Sequence, residues 1–128
     1  PAAALLDVVR GALDRQAFHE ALEAIWTVIR AANAYVDHQA PWKLRKEDPA
    51  RMATVLYVLA ETIRRLAILT QPFMPDTSAK LLDQLAVAAD ARALDQLVPG
   101  VALTPGAALP KPEGVFPRFQ DDETQGAA

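Results

Sequence analysis

The 128-residue sequence contains no cysteine, so disulfides, thiolate metal sites and a cysteine nucleophile are excluded. Its two histidines, His19 and His38, are too far apart to share a helical turn, and no metal is expected at either. Five glycines are scattered and form no phosphate-cradling loop. Aromatic residues make up only 6%. No apolar run approaches the roughly 20 residues that a membrane span needs, so no membrane association is expected. The chain opens on "PAAALLDVV", with neither an initiator methionine nor a signal-peptide pattern, and is expected to begin inside a longer protein. A reducing cytoplasm is compatible with the missing cysteine. A strong charge of one sign is also lacking. The net charge is −3, and the tail "DDETQGAA" alone holds three of the 16 acids. A general, basic nucleic-acid groove is therefore not expected, but a local contact is possible.

What is present is apolar and helical. Hydrophobic residues reach 52%, carried mostly by alanine and leucine, which favour helix. The length suits one domain with its own core. Leu5, Leu6, Val9 and Leu13 recur at helical spacing, and so do Phe18, Leu22, Ile25, Trp26, Ile29 and Val36, with a turn between near 14–17. Pro41 ends the second helix, because it lacks an N–H and biases Ala40 away from helical angles. Asp48 then caps a third helix with Pro49 at its first position. The stripe Met52, Val55, Leu56, Leu59, Ile63 and Leu66, with apolar residues on other sides, makes this helix central and leaves Glu61, Arg64 and Arg65 as a narrow wet edge. After "QPFMPD", a fourth helix is capped by Asp76, Thr77 or Ser78, and a weaker fifth covers 88–97. From Pro99 onward, "PGVALTPGAALPKPEGVFPRF" holds five of the ten prolines and cannot be helical. Its apolar residues suit a strap lying on a hydrophobic surface. The expectation is all-α: an antiparallel bundle of four to five helices over 1–98, and an extended strap with a polar tail over 99–128.

No catalytic constellation stands out, and the chain by itself is expected to be non-catalytic. The segment "NAYVDHQAPWKLRK" is the informative one. Trp26 falls in an apolar stripe and reads as core. Trp42 lies outside any stripe, just past Pro41, with Lys43, Arg45 and Lys46 behind it. It is either a plug over the bundle end or a stacking platform, since single-stranded bases stack on aromatic faces while cations meet phosphates. Asn33 falls on the same stripe as Leu22, Trp26 and Ile29. It reads either as a buried amide tied to a neighbour or as a residue orienting the corner. Asp37, one turn on, is either an inert helix-end carboxylate or an acceptor for a base edge.

The run "ALEAIWTVIRAANAYVDHQAPWKLRKEDPARMATVLYVLAETIRRLAILTQPFMP" resembles the anticodon-binding domain of bacterial methionyl-tRNA synthetase, well over about residues 17–85. "GAALPKPEGVFPRF" resembles the strap that ends that family's core. The segment N-x-Y-V-D-x-x-A-P-W is the most specific element, and with "QPFMP" it favours methionine among class I synthetases. The resemblance implies that Trp42 stacks on a base of the CAU anticodon and that Pro41 shapes its pocket. It also implies that Asn33 and Asp37 support the site; on the stacking-platform reading of the residues, Lys43, Arg45 and Lys46 are the expected phosphate contacts. The partners it implies are a methionine-accepting tRNA and the protein's own catalytic domain, in a monomer. ATP with Mg2+ and methionine would be handled by that domain, whose "HIGH"-like and "KMSKS"-like signatures are missing here. The family's first anticodon-domain helix is also expected to be missing. Alternatives are a helical interaction module docking a protein through the strap, or the equivalent domain of another class I synthetase.

Overall fold

A computed structural model describes residues 2–119; the polar tail and Pro1 lie outside the described residues. Among these residues the chain forms five α-helices and no strand. They are α1 (Leu5–Asp14), α2 (Phe18–Gln39), α3 (Pro41–Glu47), α4 (Pro49–Thr70) and α5 (Pro75–Gln84).

Short connections force neighbouring helices to fold back on one another. Residues 15–17 join α1 to α2, with the Ala17 N–H donating to Ala12 O at 2.8 Å. The α2 and α4 helices run antiparallel. Gln39, at the end of α2, meets Arg51 in the first turn of α4, while Ile25 and Ile68 share the core at the other end. Leu5, Leu6, Val9, Ala21, Ile25, Val28, Ile68, Leu69 and Leu82 build that core. Helix α4 packs on α2, α3 and α5 and is the central element, as its apolar sides require. Its start follows the expected signals: Asp48 Oδ1 accepts the Arg51 N–H at 3.0 Å, and Pro49 occupies the first position.

Several expectations are corrected. The buried face of α2 is Ala21, Ile25 and Val28, not Leu22, Trp26 and Asn33. Trp26 is 53% exposed, and Phe18 and Leu22 are exposed with it. The buried face is displaced by one residue, about 100° around the helix, from the line of Leu22 and Trp26, and it is the face carrying small Ala21 and Ala24 that packs closely. Asp76, Thr77 and Ser78 do not cap α5. Met74 is its N-cap, without a side-chain bond, and Pro75 is the first residue. Ser78 is fully buried, its hydroxyl 2.9 Å from that of Thr70. In place of a fifth helix over 88–97 there are two short 3-10 turns, Ala89–Ala91 and Leu94–Gln96.

Arg64 is not on a wet edge. It is 3% exposed and carries the root of the strap. Its guanidinium donates to both Glu61 carboxylate oxygens (2.8 and 2.6 Å), to Gln96 O (3.3 Å) and to Val101 O (3.0 Å). Glu61 Oε2 in turn accepts the Leu103 N–H, and the Tyr57 hydroxyl donates to Leu103 O at 2.7 Å. Tyr57, Glu61 and Arg64 recur at i, i+4 and i+7, so one side of α4 holds the strap by its backbone. An extended chain forms few internal hydrogen bonds, and these side chains satisfy its peptide groups at Val101 and Leu103 instead. Farther on, Gln84 donates to Glu113 O at 2.7 Å, while Leu109, Phe116 and Phe119 stay exposed.

Candidate nucleic-acid interface

The corner after α2 is built by one unusual residue. Ala40 sits in the left-handed region (φ 44°, ψ 63°), with its N–H donating to Val36 O at 2.9 Å. Pro41 disfavours the right-handed helical angles at Ala40, so α2 cannot run on. A left-handed residue is a common way to end a helix, although it costs an alanine about 1 kcal/mol. Pro41 then opens α3, its fixed φ matching the first helical position.

Where the sequence suggested an irregular corner, the chain therefore forms a seven-residue helix. Helical spacing follows from it. Arg45 and Lys46, at i+3 and i+4 from Trp42, share its face of α3. Trp42 is 58% exposed, and Lys43, Arg45 and Lys46 are exposed too. Among the described residues none of these three cations forms an ion pair. Leu44 and Pro41 are half-buried and hold α3 against the bundle. Trp42 is thus not a plug: a large indole lies open beside unpaired positive charge.

Asn33 and Asp37 lie one turn apart on α2, both exposed, and neither side chain makes a hydrogen bond within the described residues. Asn33 is accordingly not the buried tie considered above, and its amide is free for an external partner. Gln39 and Arg51 were not singled out from sequence. Arg51 donates to Gln39 Oε1 at 2.9 Å, across the whole of α3. Only the position of Gln39 beside "APW" could have drawn attention to it. A groove of about 550 Å³ between α2 and α4, lined by Val28, Tyr35, Tyr57 and Thr62, lies apart from Trp42. Among the described residues there is no cluster of three or more metal-ligating side chains, and no helix long and apolar enough to cross a membrane.

A family model described as the anticodon binding domain of methionyl tRNA ligase matches residues 4–128. The chain belongs to that family. The domain is similar, at 52% identity over 118 residues, to the methionine–tRNA ligase of Mesorhizobium japonicum, covering 92% of this chain and 23% of the relative. It is 50% identical over 122 residues to the Brucella suis ligase, covering 95% and 24%. The free-state structure of Mycobacterium tuberculosis methionyl-tRNA synthetase superposes with a TM-score of 0.88 at 50% identity, covering 93% of this chain and 24% of that one. The anticodon-binding domain described here thus spans about a quarter of the length of the relatives it matches.

Proposed function

We propose that this domain reads the CAU anticodon of a methionine-accepting tRNA by stacking a base on the open face of Trp42. Pro41 sets the position of the indole. Lys43, Arg45 and Lys46 meet the phosphates, and the free amide of Asn33 and the carboxylate of Asp37 offer hydrogen bonds to base edges. The observation that carries this reading is the 58% exposure of Trp42 beside cations that form no ion pair among the described residues. An exposed indole offers a broad apolar face on which a base can stack.

The whole protein would be a methionine–tRNA ligase, monomeric and cytoplasmic. Its catalytic domain would take ATP with Mg2+ and methionine and would pack against this chain. The exposed Leu109, Phe116 and Phe119 of the strap, and the Phe18–Leu22–Trp26 stripe of α2, are apolar surfaces suited to that contact.

Stacking is worth about 1–3 kcal/mol per base, so Trp42→Ala in the full-length ligase should slow tRNA charging by roughly 10- to 100-fold. Methionine-dependent pyrophosphate exchange, which needs no tRNA, should be unchanged. A parallel fall in both rates would mean that Trp42 supports folding and does not read RNA.

A further inference from the structure

Helix α3 carries Trp42 yet contains no buried residue. Only the half-buried Pro41 and Leu44 seat it on the bundle, so packing holds its orientation less firmly than that of the helices with fully buried side chains. Its ends are held by the backbone: the Lys43 N–H donates to Ala40 O at 2.9 Å, and the Asp48 N–H to Leu44 O at 2.9 Å. These bonds fix its length and winding. They do not fix the angle at which it leans on the bundle.

One contact does span it. Gln39, the last residue of α2, accepts from Arg51, the third residue of α4, at 2.9 Å. Among the described residues this is the one side-chain hydrogen bond joining α2 to α4, and it closes the chain around α3. Arg51 is held at both ends, because its own N–H is bound by Asp48 Oδ1 at 3.0 Å. A planar guanidinium with directional donors resists twisting better than a lysine would. We infer that Arg51 and Gln39 form a clasp that sets the tilt of α3 and so aims the Trp42 indole, making both of them positioning residues for the anticodon. This inference rests on the stacking role of Trp42. It extends the recognition site to two residues that need not touch RNA.

The test uses Arg51→Met, Gln39→Met and the double variant of this 128-residue chain in a Trp26→Phe background, where Trp42 is its single tryptophan. Iodide quenching and anisotropy of Trp42 are read without ligand, and binding is read with a hairpin RNA carrying CAU in its loop. Each single variant should alter the unliganded quenching and anisotropy to the same degree and weaken RNA binding about fivefold, in line with the loss of one ordinary, solvent-exposed hydrogen bond. The double variant should be no worse than either single one, because the clasp is one interaction. The salt dependence of binding should keep its slope, whereas a lost phosphate contact lowers it by about 0.7.

Wild-type affinity in Gln39→Met, additive losses, or a lower salt slope in Arg51→Met would each overturn the clasp. The last would make Arg51 a phosphate contact. If Trp42→Ala bound the hairpin as well as wild type, the stacking role would fail instead, and the unliganded fluorescence would still decide whether the clasp aims the indole.

Discussion

The Glu61 carboxylate accepts the backbone N–H of Leu103 at 3.1 Å while the buried Arg64 guanidinium grips both of its oxygens. One acid therefore joins the central helix to the strap, and it also balances a charge that is almost wholly withdrawn from water. Removing one partner of such a pair leaves the other buried and unpaired. Glu61→Ala should lower the unfolding free energy by about 3 kcal/mol in urea titrations, and the Leu103 amide should lose its protection from hydrogen exchange.

The same contact predicts an acid response. Burial raises the Glu61 carboxyl. The hydrogen bonds from Arg64 and from the Leu103 amide, with the charges of Arg64 and Arg65, outweigh it and hold the group below the ordinary carboxylate value. A carboxyl depressed in the folded state contributes stability that is complete above its unfolded value and is lost as pH falls through the folded one. The Leu103 amide resonance should therefore stay constant from neutral pH down past the usual carboxylate range and shift only below it. A shift centred at or above that range would show that burial, not pairing, governs Glu61.

Ala40 and Asp48 bracket the site and should respond in opposite directions. A glycine at a left-handed position relieves the strain of a Cβ, so Ala40→Gly should leave stability unchanged or raise it by up to about 1 kcal/mol. Asp48→Ala loses the cap on α4 and should cost about 1 kcal/mol. Thermal unfolding of the two variants measures both.

The corrected face of α2 gives a contrast between adjacent residues. Ile25 is fully buried, and Ile25→Ala should cost about 2–5 kcal/mol. Trp26→Ala, although it deletes a larger side chain, should cost no more than about 1 kcal/mol in the isolated domain, because the indole is already half in water. Comparable losses in denaturant unfolding would restore Trp26 to the core.

The sequence by itself determined where each long helix begins and ends. Those limits are written in local chemistry: the proline after Ala40, the Asp48–Pro49 start and the "QPFMP" stop act on their own backbone and need no neighbour. It also determined that Trp42 stands outside the apolar periodicity, with Lys43, Arg45 and Lys46 beside it. Tertiary structure alone decided which flank of α2 turns inward. Leu22 and Trp26 are as apolar as Ile25 and Val28, and only the close approach of neighbouring helices favours the side with the small residues. It likewise decided the fate of Arg64, whose i,i+3 pairing with Glu61 looks like any solvated helix edge until the strap lies over it. The clasp between Gln39 and Arg51 belongs to the same class. A hydrogen bond between groups twelve residues apart exists only once α3 has been folded between them, so no reading of local propensity reaches it.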